Sequence, residues 1–452
     1  MTARPEPVRR RLVLPRVPLA GPVARPAAAL VAPVRRDASS GGKSRVARGP
    51  QRERHEPDYL VLLLVAALTA VGLLMIYSSS GVHAAITTGG DPFVAVAPQI
   101  CWSLLGIVAL VLMMRLDYRY LRLMSVPVYG VAIVLLVIVL SPGIGPIKPI
   151  EIGGSTRWLQ IGPLPSMHPA EFAKLALVIY LAHWLAKRGT QSASLVHGMI
   201  PFLIISGLCL GLVALEPDLG TTGVLTLTAF TMFFVAGASL WQLALVAPVG
   251  LAGLAAFIAT SAYQMDRIRS FLDPWAYRLE GGFQTVQGLL SLGLGGLFGT
   301  GLGQSQLPGG LDLPNSDNDF IFAIIGQEFG FIGASLVIAL FLFLAYRGVR
   351  IALAAPDTFG ALLATGITAW LTFQALINIA VVINLLPITG IPLPFVSDGG
   401  SSLVVSFAAV GILLSISRET QPRGTWNDAD PDRGRGYGRP HLPSPRGAAV
   451  PR

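Results

Sequence analysis

The 452-residue sequence is 53% hydrophobic and 13% charged, with a formal net charge of +9 and a mean hydropathy of +0.64. That balance excludes an ordinary soluble domain, because too little charge is left to cover a water-facing surface. The positive excess sits in the two terminal segments and in short connections. No folded basic domain is present to carry it, so nucleic-acid binding is not expected. Cys101 and Cys209 both fall in apolar runs and suggest neither a disulfide framework nor a metal motif.

Taken in order, residues 1–57 are rich in Arg, Pro and Ala, with 13 Lys or Arg against four acids, and should form a disordered basic tail. The first apolar run starts near residue 59 behind this tail, so it reads as an anchor rather than a cleaved signal. Runs of spanning length recur at Tyr59–Tyr77, Phe93–Met114, Leu121–Leu140, Pro169–Ala186, Val196–Leu215, Leu219–Ala236, Leu240–Ala262, Phe320–Tyr346, Phe359–Ile383 and Ser401–Ile416. The expected fold is therefore all-α and polytopic, with ten transmembrane helices and a large extracytoplasmic loop between the seventh and eighth. Of 33 Lys and Arg, 27 fall on the side of the two termini and five on the other, with Lys174 inside a helix. Positive charge is retained in the cytoplasm, so both termini should be cytoplasmic, in the cytoplasmic (inner) cell membrane. The ten-helix domain should occupy 58–417 and a second disordered cytoplasmic tail 418–452.

The outward connections carry the chemistry. Pro169 suits a first helical turn, which sets Glu171 and Lys174 three apart on one face. Both signs inside a span must pair or line a polar cavity. Arg157 and Trp158, just before, read equally well as interfacial anchors. In EPDLGTT, Asp218 can cap the sixth span, but capping leaves Glu216 unexplained. The stretch Asp266–Gly333 collects Arg267 and Arg269, a Gly-rich apolar run at Leu289–Phe298 and the acids Asp317 and Asp319. That run is too short to cross a bilayer and needs protein or water around it. In the last connection, prolines and glycines force irregular backbone, and Asp398 or a neighbouring serine can cap the final helix. Gln374 and Asn378, four apart in the ninth span, read as helix–helix hydrogen bonds.

The motifs GSTRWLQIGPLPSMHPAEFAK, EPDLGTT, FLDPW, GLLSLGLGGLFGTGLGQS, DFIFAIIGQEFGFIG and LLPITGIPLPFVSDGGSSL occur in one order along residues 58–417. In this the sequence resembles the SEDS proteins (shape, elongation, division, sporulation), and FLDPW with Gln284 and Gln287 resembles the division branch, FtsW, more than the elongation branch, RodA. The resemblance implies a peptidoglycan glycosyltransferase that polymerises lipid II at the outer membrane face. It also implies a class B penicillin-binding protein, which crosslinks, and other division or elongation proteins as partners. By motif, Asp319 matches the essential catalytic aspartate, Glu171 and Lys174 the charged pair of the fourth span, and Glu216 and Asp218 the acidic outer motif. The family usually has His-Thr-Asp-Phe where Asp317-Asn318-Asp319-Phe320 stands, Gln-Pro-Ser-Glu where His168-Pro169-Ala170-Glu171 stands, and Ser-Tyr-Gly-Gly where Ser397-Asp398-Gly399-Gly400 stands.

Such a transfer needs one carboxylate as base, expected to be Asp319. It also needs positive charge for the lipid diphosphate, from Arg267, Arg269, Lys174 or a divalent cation (Mg or Mn) held by Asp317 and Asp319. Asp317 and Asp398 complete the expected substrate-facing set. Two other readings remain open from the residues: a lipid-linked sugar flippase, and an inert division scaffold.

Overall fold

In lipid a backbone must bond to itself, and each of the ten apolar runs does so as a helix. The computed structural model describes residues 56–88, 93–143, 145–152, 155–163, 165–304 and 317–419. The expected tails lie outside these residues apart from Glu56, Pro57, Arg418 and Glu419, as does residue 305–316 of the large connection. The helices are α1 (Tyr59–Thr88), α2 (Phe93–Arg115), α3 (Arg119–Val139), α4 (Pro169–Arg188), α5 (Ile200–Leu215, preceded by a π turn at Leu195–Met199), α6 (Leu219–Val235), α7 (Leu240–Thr260), α8 (Ala262–Leu272), α9 (Phe283–Gly295), α10 (Ile321–Ala354), α11 (Thr358–Val382) and α12 (Gly400–Ser417). Among the described residues, seven helices are long and apolar enough to cross a membrane, and α6 is a shorter apolar helix.

Local chemistry sets the ends. Pro169 opens α4, the Asp218 carboxylate accepts from the Thr221 N–H at 3.0 Å to cap α6, and Asp357 caps α11 through the Gly360 N–H at 2.7 Å. Neighbouring helices bury 67% and 72% of α11 and α12, against 28% for α2 and α3, so the former pair forms the middle of the bundle and the latter its apolar rim.

Two features depart from the expectation of spanning helices joined by loops. Between α3 and α4, β1 (Ile147–Ile152) pairs antiparallel with β2 (Ser155–Ile161). These segments are short and rich in β-branched and aromatic side chains, which suit a pleated surface better than a helix. Leu159 of β2 is wholly buried against Ile138 and Val139 at the end of α3. The second departure is that the large connection folds as α8 and α9. Helix α9 lies along the opening of α10: a Cβ on Gly288 would touch Phe320, and one on Gly295 would come within 1.9 Å of the Gly326 carbonyl. The two therefore run in the same direction. Beyond α9, the loop Gly296–Gly303 bonds to a break in α10 at Gly330, whose φ of 67° is a left-handed value that glycine adopts freely. The Gly-rich run thus has protein around its irregular backbone, as its length requires.

Candidate active site

The residues singled out in sequence converge at one end of the bundle, around the loop 384–399 between α11 and α12. Its backbone carbonyls accept hydrogen bonds from four side chains on three elements. Arg267 of α8 donates to Ile388 O at 3.0 Å, Asn378 of α11 to Ile391 O at 2.8 Å, Gln374 of α11 to Pro392 O at 3.0 Å, and Gln99 of α2 to Ser397 O at 3.1 Å. Irregular backbone at this depth has free carbonyls, and amide and guanidinium donors satisfy them.

Asp319 stands just ahead of α10 and is 7% exposed. Its Oδ1 lies 3.4 Å from the Gln284 amide of α9, and a Cβ on Gly390 would be 3.9 Å from its Oδ2. Asn378, already bound to the loop, also donates to Asp319 O at 2.8 Å. Burial pushes the Asp319 carboxyl up to about 6, against the pull of Arg267 and Gln284 and with a further push from Asp317. Asp317 O accepts from the Asp398 N–H at 2.8 Å, which brings the start of α12 beside the start of α10. Burial and then Asp317 raise the Asp398 carboxyl as well.

One helical turn away on α11, Gln374 reaches the other charged pair. Lys174 Nζ is 2.9 and 2.8 Å from the two Glu171 oxygens and 2.6 Å from Gln374 Oε1, and it stands 5.2 Å from the centre of the Trp370 ring. Lys174 is fully buried, and two of its three ammonium donors go to Glu171 Oε1 and Gln374 Oε1. The pair is thus a tie between α4 and α11, linked through consecutive loop carbonyls at 391 and 392 to Asp319.

The third group surrounds the α5–α6 junction. Arg157 of β2 donates to Glu216 O at 3.1 Å and to Pro217 O at 2.6 Å, so it closes the exposed end of α5 rather than anchoring the hairpin at an interface. His168 Nε2 lies 3.7 Å from Asp218 Oδ2, and burial keeps that imidazole below its ordinary pKa. Burial works to raise the Asp218 carboxyl too, yet Arg157, His168 and the Thr221 N–H hold it below the ordinary value. Glu216 behaves oppositely. It is wholly buried, neither carboxylate oxygen has a hydrogen-bond partner among the described residues, and burial reinforced by Asp218 pushes it up to about 9.

Of the expected residues, Arg269 stays outside this assembly and pairs with Asp266 at 3.5 Å on an exposed face of α8. Among the described residues no group of three or more His, Cys, Asp or Glu side chains converges on a metal position. Sequence reasoning used Gln284 only as a mark of the division branch, passed over Gln264 (3.3 Å from Pro217 O) and Gln99, and gave Gln374 and Asn378 only a packing role. The one available signal was the four-residue spacing of Gln374 and Asn378, which does not reveal that their partners are loop carbonyls.

The FtsW/RodA/SpoVE family, described as "cell cycle protein", matches residues 58–422. The chain belongs to this family. Stage V sporulation protein E of Bacillus subtilis (strain 168) is 40% identical over 366 residues, which is 81% of this chain and 98% of that protein. A probable peptidoglycan glycosyltransferase FtsW of Geobacter sp. (strain M18) is 38% identical, covering 81% and 98% of the two chains. A solved structure titled "Structural coordination of polymerization and crosslinking by a peptidoglycan synthase complex" superimposes with a TM-score of 0.66 at 28% identity, over 80% of this chain and 98% of that one. This SEDS chain thus shares its helical bundle with known relatives over nearly their whole length.

Proposed function

We propose that this SEDS protein is a peptidoglycan glycosyltransferase that polymerises lipid II, with Asp319 as general base. The observation that carries the residue assignment is the buried Asp319 carboxylate, raised to about 6 and facing Gln284 and the charge of Arg267. At neutral pH it is ionised yet basic enough to take a proton, the property a general base needs. The acceptor sugar hydroxyl gives its proton to Asp319 as its oxygen attacks the donor's anomeric carbon. The bond from that carbon to the diphosphate breaks, and undecaprenyl diphosphate leaves with the bonding electrons. One base on the attacking face makes the transfer inverting. Arg267 is the cation best placed for the leaving diphosphate, since it acts on Asp319 directly while Lys174 is paired with Glu171 and bonded to Gln374. A divalent cation at Asp317 and Asp319 would also suit a diphosphate, but no third acidic or imidazole side chain joins them among the described residues.

The remaining features belong to the same reading. Ten helices span the cytoplasmic membrane, both termini are cytoplasmic, and the site opens to the outer face where the lipid-borne sugars lie. The relative titled for coordinated polymerization and crosslinking supports a crosslinking partner, a class B penicillin-binding protein. The test follows glycan-strand formation from lipid II by purified protein, with and without that partner. Asp319→Asn keeps the size of the side chain, and should fold normally while losing at least about 100-fold in rate, the lower range for a general base. Asp317→Asn should keep substantial turnover. Polymerisation by Asp319→Asn at the parental rate overturns the assignment, and loss confined to Asp317→Asn moves the base two residues upstream.

A further inference from the structure

Glu328 is a buried acid within α10, 2% exposed, and the reaction above makes no use of it. It lies roughly two to three helical turns beyond Asp319. A carboxylate at that depth is costly and is kept where it has a defined partner. Its Oε1 accepts from Ser78 Oγ of α1 at 2.6 Å, and the same Ser78 oxygen accepts from the Gly303 N–H at 2.9 Å. Two side chains thereby join α1, α10 and the end of the loop that follows α9. The loop is also fastened to α10 by backbone: Thr300 N–H to Gln327 O at 2.9 Å, Gly301 N–H to Glu328 O at 3.1 Å, and Phe331 N–H to Gly296 O at 2.9 Å.

We infer that Glu328 and Ser78 form a latch that sets the register of α9 along α10 and so positions Gln284 against Asp319, the base in the reading above. Helix α9 carries Gln284 at one end and the latched loop at the other. Between them its contact face is built on Gly288, Ser291 and Gly295, with the Leu292 side chain lying on Gly326 of α10. These small residues hold the register loosely, and the joints at the two ends fix it. The Gln284–Asp319 contact is already long at 3.4 Å, so a shift of about half an ångström breaks it. Glu328 is thus a positioning residue that acts on the base through α9.

The experiment uses the full-length chain in lipid nanodiscs, with lipid II turnover and amide hydrogen exchange over Phe283–Gln304 as separate readouts. Ser78→Ala and Glu328→Ala should each lower kcat about tenfold, with KM for lipid II changed less than about twofold, as expected when one buried hydrogen bond is lost without loss of substrate contacts. Glu328→Gln keeps an oxygen acceptor for Ser78 and should recover most of the rate. Because the latch works through Gln284, Glu328→Ala combined with Gln284→Leu should be no slower than Gln284→Leu alone. Both alanine variants should speed exchange at Gly303 and along α9. Additive losses in the double variant, or parental kcat in both alanine variants, overturn the inference. If the parent itself makes no glycan, the functional reading fails while exchange still decides the latch, and unchanged exchange in both variants overturns it. Should Glu328→Ala not fold, Ser78→Ala, which removes one hydroxyl, carries every comparison.

Discussion

At the residue scale, Glu216 shows how one position can oppose the folding of the rest at high pH. Its carboxyl ordinarily titrates at 4.5 and in the folded chain at about 9, so folding favours the protonated form. A raised folded pKa contributes stability that is complete below 4.5 and is lost as pH rises toward 9. Glu216→Gln should therefore be more stable than the parent at pH 8, by more than about 1.4 kcal/mol, the equivalent of one pKa unit. The advantage should vanish toward pH 4.5, and thermal unfolding across that pH range in one detergent reads it directly. Asp218, two residues on, is its counterpart: it caps α6, and Arg157, His168 and the Thr221 N–H hold it ionised, so one junction contains a neutral acid beside a charged one. Neither state is visible in the motif EPDLGTT. Only the burial of the first carboxyl and the partners of the second distinguish them.

At the scale of elements, the decisive object is α9 against α10. A methyl group added at Gly295 would sit 1.9 Å from the Gly326 carbonyl, which is backbone and cannot swing aside. Gly295→Ala should force the helices apart and destabilise by about 1–3 kcal/mol, the usual range for overpacking. Gly293, two residues earlier in the same helix, has nothing within 4 Å of the same position. Gly293→Ala should be neutral or stabilising by up to about 1 kcal/mol through helix propensity. Paired unfolding measurements on the two variants check the fit, and equal behaviour contradicts it. The recurrence of glycine in this run was plain in the sequence, but which glycine meets a carbonyl and which meets open space was not.

At the scale of the whole molecule, charge and burial agree on an asymmetric bundle. The end carrying Asp58, Arg119, Arg347 and Asp357 is laced by ion pairs: Arg347 with Asp58, Arg119 with Asp357 at 3.3 Å and with Glu419 at 2.9 Å. The other end holds the buried acids and the hub loop. If the positive excess sets orientation, a reporter fused after Glu280 should be active outside the membrane and one fused after Arg350 inside. Both on one side would remove the ten-span topology and the outward site with it.

The helices, and the acids the fold gathers around residues 384–399, were legible in the linear chain, because hydropathy over about 20 residues and the spacing of Glu171 from Lys174 are local properties, whereas Glu328 was not singled out. So was the need for the Gly-rich run to be enclosed. What only the tertiary structure decided is who meets whom. Gln374, Asn378, Arg267 and Gln99 all bond to carbonyls of residues 388–397, and a backbone carbonyl carries no signature in sequence. Arg267 and Arg269 look alike two residues apart, yet the turn of α8 sends one to the hub and the other to Asp266 at the surface. Burial of Asp319 and Glu216, which sets their proton affinity, is likewise a property of everything packed around them, summed over elements far apart in the chain.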